Sequence, residues 1–153
     1  MTPVLVSEGF MRGLGKPFYV ATAGRATLST TLGEPAPDPL GTHLGRIVYA
    51  PPSTKLGKET VRIVNGSCLP IQMDGWTLSD RQGNVYTFGA FTLQGGAGVK
   101  VHTGMGTDSA LYLYWGRSRQ VWGNGSDTAT LARPDGSAVD SCSYAGGGVS
   151  ISC

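Results

Sequence analysis

The chain has 153 residues, 14% of them charged, and a formal net charge of +2. That charge is too weak by itself to argue for attraction to nucleic acid or membrane, and the length suits one domain with some peripheral chain and a core that needs neither metals nor multiple staples. Its 24 glycines, spread between short β-rich runs, mark tight turns rather than disorder, and no apolar run approaches the roughly 20 residues of a transmembrane helix.

Residues 1–44 differ from the rest. Only Phe18 to Ala21 resembles a strand there. Arg12 and Lys16 supply positive charge, and Ala21-Thr-Ala23 is a small-x-small site. The apolar stretch between them, Pro17 to Ala21, is shorter than the roughly 7–15 residues of an export signal's apolar region. No standard signal peptide is visible. Pro35, Pro37 and Pro39 then alternate along residues 33–41. Proline removes amide donors and restricts its predecessor, so this stretch reads as an extended linker. The expected organisation is a linker-like segment over 1–44 and a β-domain with a short tail over 45–153.

From Arg46 onward short strands follow one another. Arg46 to Ala50 is stopped by Pro51 and Pro52. Glu59 to Val64 sets Val61 and Ile63 on one face and ends at Asn65-Gly66. Gly75 to Asp80 and Val85 to Phe88 form a hairpin: Trp76 and Leu78 share a face, and Gly83-Asn84 tolerates the turn. Phe91 to Leu93 leads into Gly95-Gly96. Gly98 to Thr103 turns Val99 and Val101 inward, with Lys100 and His102 outward. Leu111 to Trp115 is apolar on both faces, and Ser118 to Trp122 reads as a further strand. Asp127 to Leu131 points Ala129 and Leu131 inward, and Ala138 to Tyr144 is the last long strand. No window supports an amphipathic helix. The pattern predicts an all-β, immunoglobulin-like antiparallel β-sandwich, with Val61, Ile63, Trp76, Leu78, Phe88, Val99, Val101 and Leu131 in one core.

Several of these segments, in this order, resemble the bacterial lamin tail domain. They are Ile47 to Pro52, Glu59 to Asn65, Leu69 to Asp80, Val85 to Phe88, Val99 to Gly104, Gly106 to Asp108, Leu113 to Trp115, Val121-Trp122, Asp127 to Leu131 and Val139 to Ser141 before Tyr144. The resemblance covers about residues 46–144. It implies an immunoglobulin-like module, often secreted or at the cell surface, alone or beside nuclease and other hydrolase domains.

Catalysis needs converging groups with tuned pKa values, and the sequence offers few. There are two histidines, His43 and His102. His102 paired with Asp108 could orient an imidazole, but no nucleophile stands beside it. The cysteines and histidines are not grouped as zinc ligands. Asp74, Asp80 and Asp127 sit at strand ends, where aspartates commonly satisfy backbone amides. Asn65-Gly-Ser67 and Asn124-Gly-Ser126 fit the glycosylation sequon and are read as turns. The suggestive cluster is Tyr112, Tyr114, Trp115, Arg117, Arg119 and Trp122, because aromatics with arginines stack on sugars or bases and contact phosphates. The plainer alternative buries Trp115 or Trp122 in the core.

Three cysteines are present. Cys142 and Cys153 bracket a glycine- and serine-rich tail and read either as a disulfide closing that tail or as two ordinary thiols; Cys68 is left unpaired. The functional expectation is a non-catalytic binding or structural module, secreted or cell-surface, with a protein, glycan or nucleic-acid partner, no membrane span and no cofactor. A nucleic-acid-associated accessory role is the alternative, and a small hydrolase the least favoured.

Overall fold

A computed structural model of the chain describes residues 41–53 and 55–153. The expectations for residues 1–40, the linker-like reading and the strand-like stretch Phe18 to Ala21 among them, lie outside the described residues. In chain order the elements are β1 (Thr42–Val48), a 3-10 turn (Leu56–Lys58), β2 (Thr60–Asn65), β3 (Ile71–Gln72), β4 (Thr77–Ser79), β5 (Val85–Thr87), β6 (Thr92–Leu93), β7 (Gly98–His102), β8 (Tyr112–Tyr114), β9 (Asp127–Ala132), β10 (Ala138–Tyr144) and β11 (Ser150–Ser152).

They build two main layers. Sheet I has five strands in the order β11-β1-β2-β7-β8, and sheet II has four in the order β10-β9-β4-β5. A two-stranded pairing of β3 with β6 stands apart from both. Alternation places one residue in two on the inner face, and those side chains fill the space between the layers. Val61, Ile63, Leu78 and Leu131 are fully buried there, and Trp76, Phe88, Val99 and Val101 almost so. All eight expected core residues lie in one cluster. The fold is the expected all-β sandwich. One pairing departs from the antiparallel rule: β7 and β8 run parallel, Lys100 opposite Tyr112 and His102 opposite Tyr114.

The first strand starts at Thr42, ahead of the boundary expected between 44 and 45. The physical reason is a bulge. The β1–β2 register shifts between Leu44 and Arg46, so Leu44 and Ile47 both point inward, at 1% and 0% exposure. A bulge adds a residue that interrupts the period of two, and a strand read by strict alternation then begins late. One further expectation changes: residues 118–122 form no strand. The tail after Tyr144 is held by pairing: Ser150 to Ser152 pairs with Val48 to Arg46, and Tyr49 and Ala50 amides both donate to Val149 O at 3.1 Å.

The Asp74–Phe88 hairpin is present as expected, with Leu78 opposite Tyr86. Gly83 takes φ 95° in its turn, a conformation that strains other residues. Asp80 closes the turn by accepting from Asn84 N at 2.7 Å and Asn84 Nδ2 at 2.6 Å.

Candidate functional site: a basic sheet face

The outer face of sheet I gathers cations that are distant in sequence. Arg46 pairs with Arg62, and Arg62 with Lys100. Ser152 and Tyr112 extend this row at its two ends. The parallel row runs Ser150, Val48, Thr60, His102, Tyr114. Neither row contains a carboxylate. Arg46, Arg62 and Lys100 are exposed, and like charges directly opposite one another destabilise a sheet.

Two glycines shape this face. A β-carbon at Gly98 would come within 2.6 Å of Arg62 Nη2, and one at Gly45 would stand 3.6 Å from Nη1. The guanidinium therefore lies low across the backbone of neighbouring strands. Arg46 Nη2 donates to Ser150 Oγ at 2.8 Å, which ties that side chain to the parallel row at the β11 edge. Beside the ladder lies an open groove of about 390 Å³, lined by Lys58, Thr60, Lys100, His102, Tyr112 and Tyr114 among others. Lys58 brings a further exposed ammonium from the 3-10 turn.

His102 is a structural member of this face. Its Nδ1 bonds Gly57 O, and its ring stacks on Tyr114 at 4.8 Å and 17°. It is not paired with Asp108, whose Oδ1 accepts from Tyr114 N at 2.9 Å. Gly106 lies against the Tyr114 ring with no room for a β-carbon. Tyr112 is the open aromatic, 43% exposed.

The expected aromatic–arginine cluster is divided. Tyr112 and Tyr114 stand on the outer face of sheet I. Trp122 is fully buried in the core. Trp115 is half-buried and packs edge-on against Trp122 at 6.1 Å, with the Arg117 guanidinium 5.8 Å from its ring centre. Arg119 is exposed in the loop that follows. Arg117 and Arg119 share no strand face, because the strand ends at Tyr114. Sequence reasoning set Lys100 and His102 outward and stopped there. Joining Lys100 to Arg46 and Arg62 needs the long-range register.

Two buried carboxylates and a buried amide hold the irregular segments, and the carboxylates' partners are mostly backbone amides. Glu59, 2% exposed, accepts through Oε2 from Thr103 Oγ1 at 2.7 Å and from Val121 N and Trp122 N at 2.9 Å. This ties the segment after β8 to the start of β2. Burial, the largest influence, pushes the Glu59 carboxyl above its ordinary value against the pull of these bonds. Asp127, fully buried, accepts from Arg81 N at 3.0 Å, Thr128 N at 2.8 Å and Gly123 N at 3.0 Å. The Gln82 amide, turned toward them, bridges Asp80 Oδ2 at 2.9 Å and Asp127 Oδ2 at 3.1 Å. Asn65 is fully buried too. Its amide bonds Leu69 O and Leu93 O, and its Oδ1 accepts from Ser67, so it organises a loop from within. Among the described residues no group of three or more His, Cys, Asp or Glu is placed to hold a metal ion.

Cys142 and Cys153 are joined in a disulfide with their Cα atoms 5.8 Å apart, and Cys68 is free and exposed. The bond links β10, at one edge of sheet II, to the residue after β11, at the same side of sheet I. Tyr49 and Tyr144 stack nearby at 4.0 Å. One side of the sandwich is thus closed covalently and by ring packing.

Residues 43–146 match the model of the family described as Lamin Tail Domain. No curated protein matches the chain.

Proposed function

The chain belongs to the lamin tail domain family, a family of immunoglobulin-like and generally non-catalytic domains, and from that premise we propose that it is a binding module whose ligand surface is the outer face of sheet I. The ligand is an anionic polymer, with single-stranded nucleic acid the form the chemistry favours. The observation that carries this is the Arg46–Arg62–Lys100 ladder, aligned by register and without a carboxylate in its rows. Phosphates neutralise such cations and release counterions. Exposed Tyr112 at the end of the row offers a ring on which a base can stack, worth about 1–3 kcal/mol.

The module acts outside the reducing cytosol, in the medium or at the cell surface. The Cys142–Cys153 bond supports this location, since such bonds persist in oxidising compartments. Among the described residues no helix is long and apolar enough to cross a membrane. Unreduced, alkylated protein recovered from the medium should carry one label, on Cys68. Three labels contradict the disulfide and remove the support it gives to this location.

The function is tested by titrating single-stranded DNA and, separately, an acidic glycan into the full chain at low salt. The protein carries Arg62→Ala with Lys100→Ala in parallel, and Arg117→Ala with Arg119→Ala as the comparison. DNA affinity lost with the first pair and kept with the second supports the ladder. Affinity unchanged by the first pair refutes it, and preference for the glycan replaces the polymer while keeping the face.

A further inference from the structure

A second concavity lies apart from the basic face. It is a groove of about 340 Å³ whose lining includes Pro51, Pro52, Lys55, Glu59, Gln120 and Asn124, a volume within the range of small-ligand sites. Glu59 contributes a carboxylate that is 2% exposed. Its Oε2 is committed to Thr103, Val121 and Trp122. Its Oε1 takes no hydrogen bond among the described residues. Among the described residues the sealed atoms without a partner are Thr42 Oγ1 and His102 Nε2; Oε1 is not one of them, and Glu59 lines the groove. Gln120 is constrained in the same sense. Its Nε2 lies within hydrogen-bond reach of Tyr49 O, Trp122 O and Asn124 Oδ1, which occupies both of its hydrogens and leaves its Oε1 as the atom it can offer. One wall is therefore acceptor-rich and the other is proline.

We propose that this groove binds a primary ammonium group on an aliphatic stem, the chemistry of a lysine side chain. An ammonium carries three donors and no acceptor, which suits Glu59 Oε1 and Gln120 Oε1. The methylenes behind it pack on Pro51 and Pro52. A buried carboxylate is costly without a cation, and Glu59 has hydrogen bonds in place of one. The charged group that acts on it is Asp127, whose negative charge adds to the effect of burial in holding the carboxyl above its ordinary value; Lys55 stands exposed at the groove rim. A bound ammonium favours the ionised form, so binding releases a proton when it starts from the acid.

The test titrates Nα-acetyl-lysine amide into the full chain by NMR at neutral pH, with Nα-acetyl-norleucine amide as the uncharged control. Saturable shifts at residues 120–124 are expected for the lysine compound alone. Glu59→Gln, its fold checked by the dispersion of the same spectra, should bind about tenfold weaker or worse, the share of a hydrogen bond that depends on charge. Lys55→Met removes a like charge from the rim and should raise the affinity. On the unaltered chain the affinity should fall as pH is lowered and Glu59 takes up a proton. Equal response to norleucine, full binding by Glu59→Gln, loss with Lys55→Met, or an affinity indifferent to acid each overturns the proposal. None of these outcomes bears on the ladder, whose residues Arg46, Arg62 and Lys100 do not line this groove.

Discussion

The two outer faces of this sandwich are built over one core and look nothing alike. On sheet II the rows read Ser141, Thr130, Ser79, Val85 and Ala138, Ala132, Thr77, Thr87. Thr128 and Ser143 complete it, their hydroxyls 2.8 Å apart. This face is small, hydroxylic and uncharged. On sheet I the matching positions carry Arg46, Arg62 and Lys100 in line. Strand propensity and core packing fix the inward residues of both sheets and leave the outward ones free. Short β-branched and hydroxyl side chains meet that freedom at no electrostatic cost. A line of like charges does not, so its reason has to be sought outside the fold.

The comparison breaks most severely if the shared core is removed. Trp76 lies beneath sheet II, 8% exposed, with the Arg133 guanidinium 6.0 Å from its ring centre. Trp76→Ala should cost about 3–5 kcal/mol, as for other buried aromatics, and urea unfolding should show one transition in which both faces are lost together. Two separate transitions would mean that the sheets do not share a core.

A smaller effect is expected at the closed side. Cys153→Ser opens the loop that ties the edges of sheets I and II and should cost about 2–3 kcal/mol. The same denaturant measurement reads it. A cost near zero would mean that the β1–β11 pairing and the Tyr49–Tyr144 stack hold that side unaided.

Removing charge sharpens the contrast. Lys100→Thr makes a position of sheet I resemble sheet II. It should raise stability by about 0.2–1 kcal/mol at low salt, the scale of a cross-strand pair, while weakening polymer binding. The gain should fade as salt screens the repulsion. Stability lost on this substitution would show the ladder to be part of the packing.

The smallest effect is a change of slope. The Glu59 carboxyl is raised in the folded chain. Its contribution is fully present below its unfolded value and is lost as pH rises through the raised folded value. Glu59→Gln keeps an acceptor for Thr103, Val121 and Trp122 and should flatten the decline of stability across that window. An unchanged profile would place the pH dependence elsewhere.

What could be read from the sequence follows the reach of each force. Val61 with Ile63, Trp76 with Leu78 and Val99 with Val101 are legible because alternation is local. Leu44 is hidden by the bulge at Gly45, which puts an odd spacing between two inward residues. Val121 and Trp122 suggest a strand by their apolarity. Their amides are instead taken by Glu59, a partner far away in the chain. The ladder lies at the same limit. Each of its cations is an ordinary outward residue in its own strand, and only pairing across β1, β2 and β7 makes them one surface.

The most direct test of that surface is the salt dependence of DNA binding. The logarithm of the binding constant is plotted against the logarithm of salt for the unaltered chain and for Arg62→Ala. Three phosphate contacts to a single strand predict a slope of about −2, and loss of one contact reduces its magnitude by about 0.7. A slope near zero, or one that Arg62→Ala leaves unchanged, contradicts the assignment of this face to an anionic polymer.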